Sequence, residues 1–177
     1  MDYFEFYDIP LSFQPDQALV KKKFYALSKA YHPDFFVTES EEKQQEILGL
    51  STLNNKAFQT LSHIDKLLPY ILTLKEVLTE GEKYVLPQDF LMEMMDVNEA
   101  IMELEMEEDE EQAKKVLTDV DDFDKSLNAE FQEAVKKFEQ LAEQDQKALL
   151  LKIKDIWYRK KYLLRIRESI NKFATRL

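Results

Sequence analysis

Few residues in this chain could do chemistry, because it has two histidines and no cysteine. His32 is followed directly by Pro33 and Asp34, so an imidazole, a rigid ring and a carboxylate stand side by side. Proline lacks an N–H and disfavours helix at the residue before it, so the triplet reads as a helix stop followed by a stiff loop. A stiff loop loses little entropy on docking, and a carboxylate can meet a partner's arginine through two hydrogen bonds. Four lysines precede the triplet, Lys21, Lys22, Lys23 and Lys29, and between Asp16 and Asp34 no acid separates them. A second set lies between Phe90 and Met106. There Leu91, Met92, Met95, Met102 and Met106 form one sector, bordered by Asp96, Glu99 and Glu103. A stiff loop beside a basic helix suits docking on an acidic partner, and methionine adapts to irregular partners, so both sets suit protein recognition. The alternative for the second set is a helix buried more widely, touching a neighbour on each side, and the wheel alone does not decide between them. His63 closes a helical stretch, where an imidazole can bond terminal carbonyls, and no chemistry is assigned to it.

Composition removes other classes. Without cysteine there are no disulfides, thiolate zinc sites, cysteine-ligated clusters or thiol nucleophiles. Neither histidine has the several carboxylate neighbours that a metal would need, so no metal or cofactor is expected. Glu99 and Glu103 are four apart and could act as a carboxylate pair on one face. No nucleophile, phosphate cradle or histidine accompanies them on that helix, and the chain is read as no enzyme. A net charge of −11 argues against nucleic acid. No run of about 18 apolar residues exists, which argues against a membrane span. The opening MDYFEFYDIP has neither a basic region nor a long apolar run, so no secretory signal is expected and the chain is read as cytoplasmic. It is read as a monomer.

The elements follow from periodicity. Glycine occurs twice, and Glu, Lys, Leu, Gln and Ala dominate, which predicts an all-α protein. Val20, Phe24, Leu27 and Tyr31 share one helix face ending at Pro33. After the polar stretch Thr38–Lys43, the residues Ile47, Leu50, Asn54, Ala57, Phe58 and Leu61 mark a second helix, and the two form an antiparallel hairpin. Leu67–Leu74 forms a shorter segment with Pro69 near its first turn. Gly81 and Pro87 mark a linker. Three helices then form a bundle. The first carries the stripe Phe90, Met94, Val97, Ile101 and Leu104. The second runs from about Ala113 to Leu141 with a nearly heptad seam, and the third from about Gln146 to Phe173. Lys160 and Arg167 interrupt the stripe of the last helix. The acidic run Glu107–Glu111 reads as a solvated turn. The expected division is 1–76, a linker 77–86, and a bundle 87–177.

Phe24–Asp34, with its His-Pro-Asp triplet after a basic amphipathic helix, resembles the J-domain signature. Asn55-Lys-Ala-Phe-Gln-Thr-Leu61 resembles the second signature of the same hairpin. The start Met1-Asp-Tyr-Phe, the stretch Tyr70-Ile-Leu-Thr-Leu74 and above all Phe90-Leu-Met-Glu93 extend the resemblance to the HscB family over essentially the whole chain. The resemblance implies a J domain followed by a three-helix bundle. It implies a co-chaperone that docks on a DnaK-class, HscA-type chaperone through His32, Pro33, Asp34 and the lysines, stimulating ATP hydrolysis there. It further implies delivery of the iron–sulfur scaffold IscU, bound through Leu91, Met92, Met95, Asp96, Glu99, Glu103 and an aromatic residue of the last helix, here Tyr162. Phe35 stands where many J domains carry Lys or Arg. Leu68-Pro69 replaces the family's usual Arg-Ala, Met95 an expected Leu and Asp96 an expected Glu. The other reading left open is a J protein that recruits its chaperone to a different client.

Overall fold

The computed structural model describes residues 1–106 and 109–174, and every regular element among them is helical. The chain forms two compact units, Met1–Lys75 and Glu76–Leu177. The first is the J domain. Helix α1 (Tyr3–Tyr7) is short, and a capping box closes its start. The Asp2 carboxylate accepts from the Phe4 and Glu5 N–H groups, and the Asp2 N–H donates to Glu5 Oε2 at 3.0 Å. Helix α2 (Gln17–Ala30) is capped by Asp16. A 3₁₀ turn follows over Pro33–Phe36. Helix α3 (Glu41–Leu61), capped by Ser40, returns along α2 and completes the hairpin. Helix α4 (Ile64–Leu74) closes the unit.

The core of this unit is built from Phe4, Tyr7, Phe13, Val20, Ile47, Ala57, Leu61 and the α4 residues Leu67, Leu68, Ile71 and Leu72. Phe24 of α2 stacks on Phe58 of α3 with ring centroids 4.2 Å apart. Asn54 is buried among them. Its amide donates to the Phe24 carbonyl at 3.1 Å and to Ser28 Oγ at 2.9 Å, and its Oδ1 accepts from the Tyr7 hydroxyl at 2.9 Å. One side chain thereby ties α1, α2 and α3 together. Two expectations are corrected here. Pro69 lies inside α4 rather than in its first turn. Its ring removes an N–H whose usual acceptor is the Asp65 carbonyl, and Asp65 is exposed, so water can take that bond. His63 bonds no terminal carbonyl with its side chain. Ser62 ends α3, and His63 leads into α4 without a side-chain cap.

The second unit is the bundle of α5 (Gln88–Met106), α6 (Glu110–Phe138) and α7 (Lys147–Ala174). Asp109 caps α6, while Glu107 and Glu108 of the acidic run lie outside the described residues. The α6 seam buries Ala113, Val116, Val120, Leu127, Phe131, Ala134 and Phe138 as its period predicts, with Val135 added, while Phe123, expected in the same seam, is only half-buried and lines a cleft. Leu141 falls beyond the helix and is exposed. On α7 the buried residues are Leu150, Ile153, Ile156, Leu163, Ile166 and Ile170, and Leu149 is half-buried. Lys160 and Arg167 break the apolar stripe for a reason visible on α6. Lys160 pairs with Asp124 at 3.4 Å and Arg167 with Asp121 at 2.7 Å, so both cations flank the α6–α7 seam.

Residues 77–86 lie along α7 instead of hanging free. Leu78 is buried. Lys154 donates to the Val77 carbonyl at 2.7 Å and pairs with Glu82 at 2.6 Å. Glu82 also accepts from the Tyr158 hydroxyl at 3.0 Å. Tyr84 stacks flat on Tyr158 at 4.2 Å and donates to Asp155 at 2.7 Å. Gly81 turns this strap with φ +76°, where a side chain would be strained. The hydrogen bond from Lys154 holds the Glu82 carboxyl below the ordinary glutamate range. Burial, then the bond to Glu82, pushes the Tyr158 hydroxyl up to about 12.

Candidate protein-binding surfaces

The first candidate surface is built by the turn after α2. Tyr31 ends the helix, donating its N–H to the Leu27 carbonyl at 2.8 Å, and His32 takes an extended backbone. Pro33 opens the 3₁₀ turn, where its missing N–H is not needed. His32 Nδ1 accepts from the Asp34 N–H at 3.3 Å, so the imidazole caps the turn it precedes. An acceptor at Nδ1 leaves the proton of the neutral ring on Nε2, which makes Nε2–H the outward donor. The Asp34 carboxylate is 3.8 Å from Nδ1, and both side chains remain largely exposed. The triplet thus presents a donor and a carboxylate from a fixed backbone. Phe35, where many J domains carry a cation, is exposed beside the imidazole, with rings 5.4 Å apart. Of the four lysines, Lys21, Lys22 and Lys29 are exposed. Lys23 is half-buried and reaches Asp8 at 3.3 Å. The exposed positive charge of α2 therefore rests mainly on the other three.

The second candidate surface lies on α5. Phe90, Met94, Val97, Ile101 and Leu104 are all buried and supply the bundle with its full stripe. The remaining apolar residues are turned outward. Leu91 is 38% exposed, Met92 62%, Met95 65% and Met102 65%, which decides against a helix buried on a second side. Asp96 and Glu99 border this sector, exposed and without an ion pair among the described residues. Glu103 is exposed too, but accepts from the Gln112 amide of α6 at 2.7 Å. Tyr162 of α7 stands against α5, edge-on to Phe90 at 5.7 Å, and its hydroxyl oxygen accepts from the Asn98 amide at 2.8 Å. Leu91, Met92, Met95, Asp96, Glu99 and Glu103 thus come together on one helix, with Tyr162 joining through Asn98. Sequence reasoning missed Asn98. Its only signal was a position three residues after Met95 and four before Met102.

On the α6 side of α5, a cleft of about 860 Å³ is lined by Phe90, Asp96, Asp122, Phe123 and Glu130, among others, with Arg159 beside them. Arg159 bonds Glu130 at 3.1 Å and Asp155 at 2.7 Å, tying α6 to α7. Among the described residues, no three His, Asp or Glu side chains converge as a metal ion would require. No described helix is long and apolar enough to cross a membrane.

Comparison with known proteins agrees with the all-helical fold. A family model described as the HscB C-terminal oligomerisation domain matches residues 86–171. A co-chaperone protein HscB homolog of Photobacterium profundum is 30% identical over 146 residues, covering 82% of this chain and 82% of its own. The homolog of Vibrio cholerae is 34% identical over 102 residues, 57% of this chain, and in that match the chain spans 60% of the relative's length. Among solved structures, human co-chaperone protein HscB superposes with a TM-score of 0.73 at 28% identity, covering all of this chain and 84% of that one. HscB from Vibrio cholerae superposes over 99% of both chains with a TM-score of 0.62 at 24% identity, a likeness of fold. With a J-domain hairpin, a three-helix bundle and an exposed Leu–Met sector on α5, and with a relative matched over most of both chains, this protein belongs to the HscB co-chaperone family.

Proposed function

We propose that this chain delivers an IscU-type iron–sulfur scaffold to a DnaK-class, HscA-type chaperone and stimulates ATP hydrolysis by that chaperone, catalysing nothing itself. The observation that carries the reading is the surplus on α5. The helix buries a complete core stripe and still exposes Leu91, Met92, Met95 and Met102 beside unpaired carboxylates. A contiguous exposed apolar sector is costly unless a partner covers it. Methionines fit an irregular apolar surface, and Asp96 and Glu99 select a basic rim around it.

The chaperone takes the other unit. Lys21, Lys22 and Lys29 draw an acidic surface toward α2. His32 Nε2–H and the Asp34 carboxylate then bond to it from a turn stiffened by Pro33 and capped by the His32 ring. With scaffold and chaperone engaged by different residues of one chain, each raises the effective concentration of the other.

Calorimetric titration with an IscU-type scaffold tests this reading. Met92→Ala and Glu99→Lys are each expected to weaken binding about tenfold, the ordinary loss for an interface anchor, with unchanged thermal midpoints. Wild-type affinity in both variants would contradict the scaffold role.

A further inference from the structure

The hydroxyl of Tyr162 is an unspent hydrogen-bond donor at the edge of the methionine sector. The Asn98 amide nitrogen lies 2.8 Å from the Met94 carbonyl oxygen and 2.8 Å from Tyr162 Oη. A carbonyl only accepts, so the Met94 contact identifies that end of the amide as nitrogen. Its two protons are then used, one on Met94 and one on Tyr162. Oη is therefore an acceptor in this pair, and its own proton points elsewhere. Among the described residues nothing accepts it. The ring cannot swing freely to find an acceptor, because it also packs edge-on against the buried ring of Phe90, 5.7 Å away with the planes at 78°.

The position of the pair gives the donor its use. Asn98 follows Met95 by three residues and precedes Met102 by four, so it shares their side of α5. Both methionines are exposed. Through Asn98, the Tyr162 hydroxyl sits at the edge of that side. A donor enclosed by purely apolar surface would lose its bond to water and gain nothing. The covering partner must therefore place an acceptor there. Glu99, next to Asn98 in the helix, disfavours a carboxylate in that place, and of the neutral acceptors the carbonyl oxygen is the one every residue of a polypeptide carries.

Resting on the scaffold reading above, we infer that Tyr162 is a specificity-determining residue that donates its O–H to a carbonyl oxygen of the scaffold, and that Asn98 is the positioning residue that aims it. A partner with matching apolar shape but no carbonyl at that point binds less well, because it strands the donor.

A titration of an IscU-type scaffold into wild type, Tyr162→Phe, Asn98→Ala and the double variant tests the inference, with Met92→Ala alongside. Tyr162→Phe keeps the ring and its contact with Phe90, and is expected to weaken binding about fivefold. Asn98→Ala is expected to weaken binding about threefold in the wild-type background and to have no effect in the Tyr162→Phe background, where no hydroxyl remains to aim. Wild-type affinity in Tyr162→Phe overturns the donor role. An equal loss from Asn98→Ala in both backgrounds overturns the positioning role, since a residue that merely supports α5 acts whether or not the hydroxyl is there. If Met92→Ala also binds as wild type, or wild type itself does not bind, the scaffold reading fails and the donor falls with it.

Discussion

Single side chains in this protein act by joining elements. Asn54 satisfies the Phe24 carbonyl, Ser28 and Tyr7 from inside the first unit. Removing it takes a partner from the part-buried Phe24 carbonyl and Ser28 hydroxyl and leaves the buried Tyr7 hydroxyl only its longer bond to the Asn54 backbone carbonyl, at 3.2 Å. Asn54→Ala is expected to destabilise the protein by about 2 kcal/mol in urea unfolding. A loss no larger than that of an exposed Asn→Ala change would contradict the network. His32 belongs to the same scale, since one ring nitrogen caps its own turn and the other remains to act. The His-Pro-Asp triplet was legible in the sequence because its geometry is local: proline stops a helix wherever it stands. Asn54 was legible only as a position on the α3 face, and Asn98 was not legible as a contact. Their meaning comes from Tyr7 and Tyr162, which are far away in sequence and near in space.

At the scale of elements, period carried most of the information. The α5 stripe and, Phe123 and Leu141 excepted, the α6 seam are buried as their spacing predicts, because a helix fixes which residues share a face. The outward sector of α5 could not be settled that way. A wheel separates two faces but does not say whether a neighbour covers the second one. The interruption of α7 by Lys160 and Arg167 likewise needed Asp124 and Asp121 of α6 to make sense. Residues 77–86 were the least legible. Glycine and proline marked a break in helix, yet the strap is held by Lys154, Asp155 and Tyr158, more than seventy positions on. Because the Glu82 carboxyl is held below its ordinary range, its contribution is full at neutral pH and is lost as pH falls through that lowered value. Wild type is therefore expected to melt about 2 °C above Glu82→Gln at pH 7, and the gap is expected to narrow as pH falls below the ordinary glutamate range. A gap that persists at low pH would show that Glu82 acts without its charge.

The whole molecule combines surfaces of opposite character. The J domain carries the exposed lysines of α2, and the bundle carries the methionine sector with its carboxylates. Each unit has its own core, so neither surface depends on the other for its shape. Delivery nonetheless requires both surfaces to act in one complex. Steady-state ATP hydrolysis by the HscA-type chaperone tests that directly, measured with this protein, with the IscU-type scaffold, with both, and with His32→Gln in place of wild type. The two together are expected to stimulate by more than the product of their separate effects, and His32→Gln is expected to abolish this synergy without lowering the thermal midpoint. Stimulation that is the same with and without scaffold, or synergy that survives His32→Gln, would contradict delivery.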